Sequence, residues 1–102
     1  METIKVFPTL EMIRARRTEI LDVATQFGAS NVRVFGSVAR DDATPESDLD
    51  LLVTMRPEAS MFDVVGLWLA MKELLGIEVS VVEDQALDGD FANQVMMDAI
   101  AL

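Results

Sequence analysis

At 102 residues and 51% apolar, the chain has the means for one packed core and lacks the make-up of a disordered polymer. Its net charge of −10 lies mostly in residues 57–102, where Lys72 alone stands against nine acidic residues; that field opposes a long nucleic-acid track and suits a basic protein partner. Cysteine and histidine are absent, which excludes disulfides, thiolate or imidazole metal sites and cysteine nucleophiles, and leaves oxygen-ligated Mg²⁺ or Mn²⁺ as the metals to expect.

No repeat or linker interrupts the sequence, so one domain is expected over residues 1–102. Helical spacing of Leu10, Ile13, Ile20, Leu21, Ala24 and Phe27 predicts a single helix from Thr9 to Phe27, with Gly28 at its end. Asn31 to Phe35 alternates as a short strand that stops at a Gly36-Ser37 turn, and Leu49 to Thr54 is a second strand. Ser60 with Asp63 reads as a capping pair for a helix over Met61 to Leu75. That helix is apolar nearly all round, although one sheet face needs only a stripe, so its surplus predicts burial by the C-terminal segment or by another chain, and a homo-oligomer is one form this could take. Ile77 to Val82 gives a third strand, and Phe91, Ala92, Val95, Met96, Ala99 and Ile100 share one face of a short last helix. The order αββαβα predicts an α+β fold, a small mixed sheet with helices packed mainly on one face. The chain opens without a charged leader, and its most apolar segment, Met61 to Met71, is too short to cross a bilayer; a cytoplasmic protein with no membrane partner is expected.

The residues that point to chemistry are Gly36-Ser37 and, ten residues on, Asp48-Leu49-Asp50 at the start of an apolar strand. Carboxylates two apart on a strand point to the same face and repel unless a positive group lies between them. A glycine at a strand end lets backbone N–H groups approach phosphate oxygens, and Ser37 adds a hydroxyl. Asp48 and Asp50 would then hold divalent metal between themselves and the phosphates. Arg40 is placed to touch a triphosphate or to pair with Asp41 or Asp42. Arg14, Arg16 and Arg17 read as a solvated helix face, and Ser47 as a residue that satisfies local backbone groups.

Gly-Ser, ten residues, then Asp-x-Asp resembles the signature of the minimal nucleotidyltransferases of the DNA polymerase beta superfamily, the MntA-like proteins, and residues 36–50 fit it without a gap. The resemblance implies the nucleotidyltransferase fold, Mg²⁺ or Mn²⁺, and transfer of NMP, expected to be AMP from ATP, to a hydroxyl with release of pyrophosphate. It further implies a HEPN-type partner in a toxin–antitoxin pair. By this resemblance Asp48 and Asp50 are catalytic and hold metal, while Gly36, Ser37 and Arg40 bind nucleotide. The family's third carboxylate falls in Val79-Ser80-Val81-Val82 at Ser80, which is no carboxylate base. Glu78 lies on the same strand face about 6.8 Å away and is the candidate replacement. Two readings follow: an active transferase, or a degenerate fold that neutralises its partner by binding alone.

Overall fold

The computed structural model describes residues 8–102; Lys5, counted in the charge above, lies outside them. Helices α1 (Leu10–Ala15) and α2 (Arg17–Gln26) lead into β1 (Ala29–Phe35), and a short α3 (Gly36–Arg40) follows directly. Then come β2 (Leu49–Met55), α4 (Met61–Leu75), β3 (Val79–Glu83), a 3₁₀ turn at Asp84–Ala86, α5 (Gly89–Asp98) and β4 (Ile100–Ala101). The expected α+β class holds, with a mixed sheet in the order β3-β2-β1-β4 in which β2 and β3 run parallel and the other neighbours antiparallel.

Three local expectations need correction. The predicted helix from Thr9 to Phe27 is two helices, because Arg16 leaves helical geometry (φ −105°, ψ 17°) and its N–H turns back to Arg14 and Ile13. Its guanidinium is engaged as well, donating to Glu19 Oε1 at 2.7 Å and to the Leu74 carbonyl at 3.3 Å, and Arg17 donates to the Leu102 carbonyl at 2.8 Å. Two of the three basic residues therefore fasten α2 to other parts of the chain. Gly36-Ser37 opens α3, and a two-residue strand, β4, closes the far edge of the sheet, its continuation Leu102 N–H donating to the Val32 carbonyl at 3.0 Å.

Strand alternation divides the apolar residues between the two faces. Val34, Leu49, Leu51 and Val53 join Ile13, Ile20, Leu67 and Met71 in the larger core beneath α1, α2 and α4. Phe35 and Leu52 point the other way and meet Val95 of α5. The capping box expected for α4 is present, Ser60 Oγ accepting from the Asp63 N–H while Asp63 accepts from the Ser60 N–H, and Gly76 ends the helix at φ 67°. The surplus apolar residues of α4 are not covered by the C-terminal segment: Met61, Phe62, Val65 and Leu69 are exposed, Phe62 by 88%.

On the α5 face, Arg33 Nη2 donates to Asp84 Oδ2 at 2.9 Å and to Thr54 Oγ1 at 3.3 Å, and the Thr54 hydroxyl donates to the same carboxylate. Burial alone would raise the Asp84 carboxyl; the bonds from Thr54 and Arg33 outweigh it and hold the group below its ordinary range. A depressed carboxyl contributes stability that is present above its unfolded pKa and is lost as pH falls through the folded value. We expect Asp84→Ala, which leaves the mostly buried Arg33 unpaired, to destabilise the fold by about 2 kcal/mol at pH 7, or about 10 °C in Tm. The difference should shrink in acid. Equal melting curves for the two proteins at pH 7 would remove Asp84 from the account of stability.

Candidate functional site

The site forms beside α3, where β1 ends and β2 and β3 begin. Gly36 follows β1 at φ 73°, where backbone geometry favours glycine, and a methyl group at its Cα would push the Asp50 carboxylate aside. This close approach brings the Gly36 turn against the carboxylate two residues beyond Asp48. Ser37, next in the chain, is half-buried. Asp41, in left-handed geometry (φ 62°), ends α3 and releases the loop that returns to Asp48. Ser47 fixes that loop as expected, its hydroxyl accepting from the Thr44 N–H at 2.8 Å.

Parallel register sets Asp50 directly beside Ser80, and on its other side Asp50 stands opposite Phe35. One step earlier, the Leu49 N–H donates to the Glu78 carbonyl at 2.9 Å, so Glu78 and Asp48 flank the mouth of the same two strands. Asp50 is half-buried, and its carboxyl is raised above the ordinary range, first by burial and then by the charge of Asp48, with Arg40 offsetting this in part. Arg40 is itself occupied: it donates to Asp98 at 2.7 Å and to Asp42 at 3.2 Å. The expected contact with Asp42 is therefore present and that with Asp41 is not, whereas Asp98, 58 residues away, had no signal in the local sequence.

Several openings adjoin these carboxylates, and two of them meet at Ser80. A recess of about 260 Å³ between α3 and α5 is bordered by Gly36, Arg40, Asp50 and Ser80. A wider groove of about 540 Å³ runs along β3 and is bordered by Asp48, Glu78 and Ser80 together with Val65 and Trp68 of α4. Trp68 closes part of that edge by donating its indole N–H to the Val79 carbonyl at 2.7 Å. Glu78 is turned to the outside, its carboxylate 3.4 Å from Lys72 Nζ and 69% exposed. Thus Gly36, Arg40, Asp48, Asp50 and Glu78 gather around Ser80, and Ser37 borders neither opening.

Among the described residues, no group of three or more carboxylates forms a ready metal cage. A magnesium ion does not require one, since it takes one or two carboxylates and completes its octahedron with water and substrate phosphates. Asp48 and Asp50 fit that demand: both offer carboxylate oxygen, and each acts on the other's charge, as the contribution of Asp48 to the raised carboxyl of Asp50 shows.

A family model described as a nucleotidyltransferase domain matches residues 18–102. The chain is 29% identical over 79 residues to the protein adenylyltransferase MntA of Thermococcus cleftensis, covering 78% of this chain and 80% of that protein. It is 27% identical over 84 residues to a provisionally named protein adenylyltransferase of Methanocaldococcus jannaschii, covering 82% of this chain and 90% of the relative. Among solved structures, one provisionally described as a minimal nucleotidyltransferase superposes with a TM-score of 0.82 at 43% identity, over 93% of this chain and 97% of the other. A toxin–antitoxin structure with AMP-PNP shares the fold at a TM-score of 0.71 and 16% identity, over 82% of this chain and 69% of that one.

Proposed function

This chain belongs to the nucleotidyltransferase domain family, and from that membership we propose that it transfers a nucleotidyl group, AMP from ATP, to a hydroxyl of a protein partner. The observation that carries the proposal is Asp50, set beside Ser80, acted on by the charge of Asp48 and pressed against the Gly36 turn. These two carboxylates would hold Mg²⁺ or Mn²⁺, which when bound supplies positive charge against the phosphates. The chain's own residues then have distinct tasks. Backbone at Gly36 receives phosphate oxygens, the Ser37 hydroxyl would have to reach them from outside the recess, in the first turn of α3, and Arg40, anchored by Asp98, presents a fixed cation at the recess edge. Positioning and charge stabilisation account for most of the catalysis in phosphoryl-type transfer, so few groups suffice. Glu78 is proposed as the third carboxylate, because it borders the same groove as Asp48 and Ser80.

The partner is proposed to be a HEPN-type toxin, with this chain as its antitoxin in the cytoplasm. A relative named MntA and the likeness to a toxin–antitoxin structure support that reading. The acidic half of the sequence suits a basic partner surface. Among the described residues, no helix is long and apolar enough to cross a membrane. Incubation of the chain with a HEPN-type protein encoded beside it, Mg²⁺ and ATP labelled in the α-phosphate should leave label on the partner. Partner neutralised without label would favour the second reading, binding without catalysis, which the serine beside Asp50 supports.

A further inference from the structure

We propose that the recess between α3 and α5 holds the base of the nucleotide, with Phe91 as its stacking face and Gln94 as the amide that reads its edge. This rests on the transferase reading, because the recess begins at the Gly36 and Asp50 end where the phosphates would lie.

Phe91 is 57% exposed, in a chain with only six aromatic residues. It is nonetheless held in place. Phe35, 6% exposed and standing opposite Asp50 in the strand register, meets it edge to face, with ring centroids 6.5 Å apart and planes at 80°. An aromatic held by one ring contact and more than half exposed offers a planar base a surface to stack on, since every base has a π-face. Gln94 lies three residues further along α5, on the same side of the helix, and borders the recess too. Its amide Nε2 makes only long contacts, 3.4 Å to each oxygen of Asp98, whose stronger bond goes to Arg40 at 2.7 Å. Such an amide gives up little by exchanging Asp98 for a base, and it offers one donor group and one acceptor. Val82 and Val95 supply an apolar floor. The groove beyond Ser80, with Asp48 and Trp68, is left for the acceptor.

Titration calorimetry on the whole chain tests the assignment, with Mg²⁺·ATP and Mg²⁺·tripolyphosphate as separate probes. Phe91→Ala is expected to weaken Mg²⁺·ATP about tenfold and to leave Mg²⁺·tripolyphosphate unchanged, and Phe91→Trp, which keeps the stacking face, should retain ATP affinity. Gln94→Ala should move the ATP-to-GTP affinity ratio toward one. Unchanged ATP affinity in Phe91→Ala, or an equal loss for tripolyphosphate, overturns the stacking assignment while leaving nucleotidyl transfer in place. A ratio that Gln94→Ala leaves where it was overturns the role of Gln94. Tight, Phe91-dependent ATP binding with no transfer to any partner overturns the transferase reading and leaves the recess standing. A natural chain that binds neither probe overturns both.

Discussion

Replacing Asp48 and Asp50 together by alanine is expected to abolish Mg²⁺-dependent ATP binding and to lower transfer by about 10³-fold or more. The charge of Asp48 acts on Asp50, and Arg40, the cation that offsets it in part, is already paired with Asp42 and Asp98. Asp48 and Asp50 act as one unit, so each single variant should lose nearly as much as the double variant, and the losses should not add. The pH dependence has a defined sign. Metal binds the ionised carboxylate, and the Asp50 carboxyl stands above its ordinary range, so Mg²⁺ affinity should start to fall, as pH is lowered, at a higher pH than an ordinary aspartate would give. Asp48 is exposed and Asp50 only half-buried, so the variants retain their fold. Calorimetry with Mg²⁺ and ATP decides the matter, and unchanged binding in the double variant would place the metal elsewhere.

The second large effect is expected at Ser80, which the parallel register sets beside Asp50. Serine is a poor ligand and no carboxylate base, so Ser80→Asp should raise the transfer rate by about 10²–10⁴-fold if a general base is what the natural chain lacks. Glu78 gives the opposite pattern. If its carboxylate leaves Lys72 and turns into the groove, Glu78→Gln should abolish transfer and Ser80→Asp should add little. Initial rates of label transfer for the two variants separate these accounts. No activity in any variant, combined with tight partner binding throughout, would leave the binding-only reading standing.

The sequence disclosed most about the parts of the site that are close together along the chain. Gly36, Ser37, Asp48 and Asp50 lie within fifteen residues, and the strands on either side are legible, Asn31 to Phe35 from alternation and Leu49 to Thr54 as an apolar run. The caps of α4 were legible for the same reason, since Ser60 and Asp63 satisfy each other's backbone within one turn. What escaped depends on distance or brevity. Five residues of α3 and two of β4 give no periodicity to detect, and β4 exists because the chain returns to pair with β1. The break at Arg16 has no glycine or proline to announce it. Asp98, Phe91 and Gln94 reach the site only because α5 packs over Phe35 and Leu52, on the face opposite the main core. A pattern confined to residues 36–50 cannot specify that wall.

Trp68 is the sole tryptophan, and the chain has no tyrosine. Its indole sits in the groove beside Asp48, Glu78 and Ser80, tied to the Val79 carbonyl and with Lys72 Nζ 4.7 Å from its ring centre. The recess at Phe91 contains no indole. The protein on its own therefore carries an optical probe, a single indole emitter that belongs to the β3 side of the site alone. A ligand or peptide without indole or phenol that enters along β3 perturbs that emission directly, so its arrival can be followed as colour and intensity, without a label.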